Sequence, residues 1–339
     1  MNGYEIIRRC IEFDHPPRVG LRFSGLGVSD VLRLYTQMPR ALRPADSPPA
    51  SMRKKTLALP GGLDEWGCQW ETLDGAPDAD MGQVVNTPLA DWAQFDSFAF
   101  PDPSAPGRFD GLEEALAQAD GRYVQLNSPF CMFERMHFLR GMETLFMDLI
   151  QHPAEVERLA DRVIDFQIGI IEEAARLGQG RIHCFDTTDD WGTQRGLMIR
   201  PAMWRAIFKP RYRRLVAAAH QAGMHVRFHT DGKVNDILED LAEIGVDFVN
   251  IHQPRLLGIE EIGARFNGRL CFEASVDIQA TLPTGDRAAI EEEVQALLAH
   301  WGSPRGGLIG VEYRNFSAIG SRPEYLQWEL DAFLKYGTY

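Results

Sequence analysis

From about residue 123 onward, short runs of β-branched and aromatic residues alternate with longer amphipathic stretches. That alternation predicts βαβ units and a parallel sheet. The apolar runs place strands at Tyr123–Asn127, Arg181–Asp186, His225–His229, Asp247–Ile251, Leu270–Glu273 and Leu308–Glu312, each followed by a helix. The helical stretches carry apolar residues at three- and four-residue spacing. Pro201 to Ala222 is the clearest, with Trp204, Ile207, Phe208, Tyr212, Leu215 and Val216 on one face, Pro201 in the first turn and Gly223 at the C-cap. An earlier strand, Arg18–Phe23, follows a short N-terminal helix, and an eighth is placed near Gly67–Glu71. Six to eight such units, none with a G-x-G-x-x-G turn, predict an α/β fold: one (β/α)8 TIM-type barrel over residues 1–339.

Residues 40–110 break this rhythm. They are rich in Pro, Gly, Asp and Trp, and Trp66, Trp70, Trp92, Phe95, Phe98 and Phe100 need burial. The segment therefore reads as an ordered, irregular insertion covering one end of the barrel.

Charge narrows the partners. With 35 Lys plus Arg against 48 Asp plus Glu, the formal charge is −13, which argues against nucleic acid as a partner. No run of 18 apolar residues is present, so no membrane span is expected. The opening residues, with Arg8 and Arg9 in an amphipathic stretch, do not resemble a secretion signal. Five scattered cysteines without CxxC spacing read as reduced thiols, and the expected location is cytoplasmic.

In such a barrel the site lies at the C-terminal ends of the strands. Polar residues are dense there. Phe228-His229-Thr230-Asp231-Gly232 sets an imidazole and a carboxylate two residues apart, a spacing that can bind one metal ion. Asp186, Asp189, Asp190 and Trp191 cluster after another strand, where packed like charges call for a cation, a shared proton or a basic group. Glu273 and Glu312 interrupt apolar runs and must be paired, protonated or coordinated, while His252 and Tyr313 stand at further strand exits. The chain lacks a G-x-S-x-G elbow, a P-loop and a His-Glu-x-x-His helix.

Several segments together resemble the uroporphyrinogen decarboxylase superfamily: Asn127-Ser128-Pro129-Phe130, Gln151-His152-Pro153, Asp189-Asp190-Trp191-Gly192, Lys209-Pro210, Phe228-His229-Thr230-Asp231-Gly232, Gly245-Val246-Asp247 and Val276-Asp277-Ile278-Gln279. The likeness runs from about residue 60 to the C-terminus and includes Gly82-Gln83, Pro88-Leu89 and Phe100-Pro101-Asp102-Pro103. The resemblance implies a barrel with a deep cleft, but not one reaction, because the superfamily holds both porphyrin decarboxylases and zinc-dependent corrinoid or coenzyme M methyltransferases. The paired-arginine run of the decarboxylases is missing from Arg18-Val19-Gly20-Leu21-Arg22-Phe23-Ser24-Gly25, their tyrosine is replaced at Glu134-Arg135, and their late histidine has no match near Arg314-Asn315. The His-x-Cys of the methyltransferases appears as His229-Thr230-Asp231, and the last loop offers Glu312 in place of a thiol. Carboxylates for thiolates make a harder site, compatible with Zn²⁺ and with other divalent ions.

The leading expectation is a metal-dependent methyltransferase moving a methyl group from a small O- or N-methylated substrate to a corrinoid on a partner protein. His229, Asp231 and Glu312 would hold the metal; Asp190, Glu273, Asp189 and His252 would orient substrate or move protons. Arg22, Arg135, Asp186, Trp191 and Tyr313 would face substrate. The second expectation is a decarboxylase or lyase of a small carboxylated substrate, with an Asp or Glu as general acid and Arg22 and Arg135 on the carboxylate. A tetrapyrrole-binding module without turnover ranks last, because carboxylates are a poor lining for an apolar ring. A homodimer is ordinary for the family.

Overall fold

The computed structural model describes residues 1–44, 51–53, 55, 62–71 and 82–339; parts of the 40–110 segment thus lie outside the described residues. The strands are β1 (Gly20–Phe23), β2 (Val28–Ser29), β3 (Val31–Tyr35), β4 (Trp70–Glu71), β5 (Gln83–Val84), β6 (Tyr123–Ser128), β7 (Cys184–Thr188), β8 (His225–His229), β9 (Phe248–Ile251), β10 (Cys271–Ala274) and β11 (Leu308–Val311). Their order in the main sheet is β2-β1-β11-β10-β9-β8-β7-β6-β3. All neighbours pair in parallel except the short β2, which runs antiparallel beside β1. Eight parallel strands therefore form a TIM-type barrel, nearly closed between β1 and β3.

Asp30 stitches that seam. Its backbone N–H donates to the Leu21 carbonyl at 2.8 Å, its carboxylate accepts from the Leu21 N–H at 2.9 Å and pairs with Arg18 at 2.7 Å, and its carbonyl accepts from the Tyr123 N–H. The eighth barrel strand is thus Val31–Tyr35. The expected one near Gly67–Glu71 lies outside the barrel: Trp70–Glu71 pairs antiparallel with Gln83–Val84 in a separate two-stranded sheet. Here the chain returns through seven residues, the stub β2 among them, instead of a crossover helix, so helix-spaced alternation does not reveal the strand.

The N-terminal helix Gly3–Glu12, capped by the Asn2 side chain accepting from the Glu5 N–H, closes the barrel floor. Ile6, Ile7, Cys10 and Ile11 pack against Val31, Tyr123, Cys184, Phe248 and Cys271, the first residues of five strands. A floor sealed in this way leaves the opposite, C-terminal mouth for chemistry. The stretch 201–222 is two helices, Pro201–Ile207 and Lys209–Gln221, because Pro210 has no N–H to donate and its ring crowds the preceding turn. Trp66 and Trp70 of the 40–110 segment are buried against Phe166, Phe130 and Phe138 beside the rim above β6, and Phe95 is buried against Trp92 and Phe100. All five cysteines are buried thiols, and no helix among the described residues is long and apolar enough to cross a membrane.

Candidate metal centre

Parallel pairing sets Thr188 opposite His229, so the loops leaving β7 and β8 emerge side by side. They are clipped together. Gly192 N–H donates to the Asp231 carbonyl at 3.1 Å, Lys233 N–H to Thr193 at 2.8 Å, and Trp191 N–H to the Thr230 hydroxyl at 3.1 Å. The backbones touch so closely that a Cβ on Gly192 or Gly232 would sit 2.6 or 2.3 Å from the other loop, and Gly232 adopts φ +82°. This crossing fixes Asp190 over His229 and Asp231.

The three side chains converge, with one ligand atom from each within 4.8 Å of the others. His229 Nε2 stands 3.7 Å from Asp190 Oδ1 and 3.7 Å from Asp231 Oδ2, and the Asp231 N–H donates to Asp190 Oδ1 at 2.9 Å. Behind the ring, Asn250 Nδ2 donates to the Glu273 carbonyl at 2.9 Å, which turns its Oδ1 toward His229 Nδ1 at 2.6 Å. That acceptor holds the hydrogen on Nδ1, so neutral His229 aims the Nε2 lone pair at two carboxylates. Such an arrangement can hold a metal ion. Asp231 Oδ1 is buried with no hydrogen-bond partner among the described residues. Burial pushes the Asp231 carboxyl up to about 6, opposed by His229 and reinforced by Asp190.

Beneath this group runs a line of alternating charges across the barrel interior. Arg33 Nε binds Asp186 Oδ2 at 2.6 Å, Asp186 Oδ1 accepts from Arg227 Nη1 at 2.6 Å, Arg227 Nε binds Glu273 Oε2 at 2.6 Å, and Glu273 Oε1 accepts from Arg22 Nε at 2.7 Å. Burial alone would raise the Glu273 carboxyl, but Arg22 and Arg227 outweigh it and hold that group well below the usual range. Asp186 is lowered in the same way, its burial outweighed by Arg227 and Arg33. Both acids stay ionised and enclosed. Glu273 is therefore not placed to shuttle a proton, nor Asp186 to touch substrate.

A cavity of about 340 Å³ opens above this line, bounded by Arg22, Arg33 and Arg227 below, and by His229, Asp231, His252, Glu312, Tyr313 and Arg314 around it. His252 Nδ1 lies 2.8 Å from the Ser275 hydroxyl, with its ring edge-on to Tyr313. Burial, with His229 and Arg227 nearby, drives its pKa well below the ordinary value, so it enters the pocket as a neutral imidazole.

Other expected site residues are placed elsewhere. Glu312 lines the cavity but stands outside the His229 group: its Oε1 accepts from the Gly25 N–H at 2.7 Å, closing β11 onto the turn after β1. Asp190 takes the third position instead. Asp189 is fully buried and caps the helix Phe133–Arg140, accepting from the Met132, Phe133 and Glu134 N–H groups at 2.8, 3.1 and 2.8 Å. Burial outweighs those bonds and pushes it up to about 7. Trp191 is a core residue, stacked on Phe133 and donating to the Tyr212 hydroxyl at 3.0 Å. Arg135 pairs with Asp64 at 2.6 Å under Trp66 and Phe130, beside a separate cavity of about 40 Å³. Sequence reasoning missed Arg33, Arg227 and Asn250. The available signal was a polar residue between apolar neighbours within a strand: Leu32-Arg33-Leu34, Val226-Arg227-Phe228 and Val249-Asn250-Ile251.

The profile of the uroporphyrinogen decarboxylase (URO-D) family matches residues 77–310. Among solved structures, a methyltransferase from Methanosarcina mazei is 14% identical with a TM-score of 0.61, the match covering 80% of this chain and 76% of that one. Native xylanase 10B from Thermotoga maritima is 10% identical with a TM-score of 0.46 over 99% and 98% of the two chains, a likeness too loose to carry an argument. No curated protein sequence matches. At these identities the structures speak for the fold alone.

Proposed function

The chain belongs to the uroporphyrinogen decarboxylase family, and on that premise we propose that it is a metal-dependent enzyme transferring a methyl group from a small O- or N-methylated substrate to a corrinoid or similar acceptor. The observation that carries this reading is the convergence of His229, Asp190 and Asp231, with Asn250 setting the His229 tautomer and Asp231 Oδ1 left without a partner among the described residues. One nitrogen and two carboxylates suit Zn²⁺ and admit other divalent ions. Bound there, the metal would act as a Lewis acid toward the substrate heteroatom.

The remaining roles follow from the cavity walls. His252 is neutral and lines the pocket, so its ring can hydrogen-bond and orient substrate, while the burial and neighbouring charges that lower its pKa oppose proton uptake. Tyr313 packs on the His252 ring and narrows that side. The Arg22–Glu273–Arg227–Asp186–Arg33 line sets three guanidiniums against two carboxylates and gives the floor its electrostatic character. About 340 Å³ lies in the small-molecule range, which suits a small substrate. A corrinoid-carrying partner protein and a homodimeric state belong to the same proposal.

Elemental analysis of the purified enzyme tests it: one divalent metal per chain is expected, lost in His229→Ala together with methyl transfer. Full activity in chelator with no bound metal would remove the reading. A second reading, decarboxylation of a small carboxylated substrate, is favoured by the guanidinium floor and by Glu312, whose carboxyl is raised by burial at the cavity wall. It predicts carbon dioxide release without metal, and Glu312→Gln abolishing it.

A further inference from the structure

The cavity floor carries a charge that its own partners do not cancel. Three guanidiniums, Arg33, Arg227 and Arg22, share two carboxylates, Asp186 and Glu273, so three positive charges meet two negative ones. Arg33 spends only Nε on Asp186, and no protein acceptor faces its Nη1 or Nη2 among the described residues; Arg22 engages Nε and Nη2 with Glu273 and leaves Nη1. Both side chains line the cavity, and Tyr35 lies under the Arg33 guanidinium at 5.4 Å. A guanidinium held rigidly in a low-dielectric floor with two parallel N–H donors unspent fits a planar oxyanion in a bidentate fork. A divalent ion held by Asp190 and Asp231 would leave that end of the pocket close to neutral, so the two ends differ in kind.

We propose that the Arg33 and Arg22 guanidiniums form an anion subsite, and that the substrate is a small O- or N-methylated carboxylic acid lying with its carboxylate on this floor and its methylated heteroatom toward His229. The assignment of the methylated end rests on the functional reading above; the anion subsite does not. Lys55 and Arg314 also line the cavity, as do Asp231 and Glu312, so the balance that matters is local to the floor, where three guanidiniums face two carboxylates and one further carboxylate cancels the surplus. At about 30 Å³ per water-sized group, 340 Å³ admits roughly eleven such groups, enough for a substituted benzoate or a short amino acid.

Titration calorimetry on the full chain tests this with matched pairs, methoxyacetate against methoxyacetamide and 4-methoxybenzoate against 4-methoxybenzamide. Each acid is expected to bind at least about tenfold more tightly than its amide, equivalent to about 1.4 kcal/mol. That preference should fall to near parity in Arg33→Gln. Arg33→Lys, which keeps the charge and loses the fork, should retain it with a smaller margin, and separates a binding defect from a folding one. Amides binding as well as acids, an unchanged preference in Arg33→Gln, or inorganic phosphate outcompeting the acids would overturn the subsite. The preference should persist in chelator-treated protein and in His229→Ala; if it does while no metal ever binds, the subsite stands and the methyl-transfer reading falls, and the converse result separates them the other way.

Discussion

Replacing Asn250 by Ala should weaken metal binding without touching a metal-binding atom. The Asn250 carboxamide makes two bonds: it accepts from His229 Nδ1 at 2.6 Å and donates to the Glu273 carbonyl at 2.9 Å. Its loss frees the ring to rotate and removes the acceptor that keeps the hydrogen off Nε2, the kind of supporting contact whose removal costs about 10–100-fold in affinity. At a free metal concentration about 100 times the native Kd, binding stabilises the native protein by about 2.7 kcal/mol; the same concentration should stabilise the variant by only about 0.4–1.4 kcal/mol. The apo variant should also lose about 0.5–1.5 kcal/mol, the net worth of the buried amide bond to the Glu273 carbonyl. Asn250→Asp separates the two effects. Its carboxylate still accepts from Nδ1 but cannot donate to the carbonyl, so metal affinity should stay near native while apo stability falls. Chelator competition with elemental analysis reads the first quantity, and urea unfolding in chelator the second. An Asn250→Ala protein whose metal affinity is within about twofold of native would refute the argument that this amide prepares His229.

Three further outcomes are expected. Glu273→Gln leaves Arg22 and Arg227 with one carboxylate where there were two, and should cost about 3–5 kcal/mol by chemical denaturation, because breaking a buried ion pair strands its partners. His183, driven down to about 4 by burial and by His225, accepts the Val124 N–H in its neutral form. Its folded pKa lies below the unfolded 6.5, so stability should fall as pH drops from about 6.5 to about 4, and His183→Gln should flatten that part of a melting-temperature profile. Burial pushes the Glu329 carboxyl well above 4.5 against its bond from the Val276 N–H, so its favourable contribution is complete below 4.5 and lost as pH rises. Glu329→Gln should therefore melt higher than native protein at pH 8, and equal melting points there would contradict the assignment.

How far the fold was legible depended on the length of its connections. Strands β6 to β11 are separated by helices, and each fell within three residues of its expected start because the period changes from two to 3.6 and back. β3 escaped because only seven residues join it to β1 and because Arg33, which faces the interior, splits its apolar run. The signals used for it instead, Trp70 and its neighbours, report burial in a different layer: Trp70 packs on Phe130 and Phe138, not inside the barrel. An aromatic residue in a short extended stretch needs cover, and the sequence does not say which surface supplies it.

The site was legible as a set of acids and a histidine, but not in its division of labour, and the reason is charge neutralisation over long sequence distances. Arg22 and Glu273 are 251 residues apart, and nothing local marks them as partners. Once the pairs are known, each acid at a strand end can be sorted by what answers its charge. Asp186 and Glu273 are answered by guanidiniums, Asp189 by three helix N–H donors and the Tyr212 hydroxyl, and Glu312 by the Gly25 N–H. Among the described residues, Asp190 and Asp231 have between them one backbone N–H and one imidazole whose tautomer presents a lone pair. Two neighbouring carboxylates repel, and a positive charge between them relieves that cost. A divalent cation there would answer both carboxylates and give a bond to Asp231 Oδ1, which is buried and without a partner among the described residues.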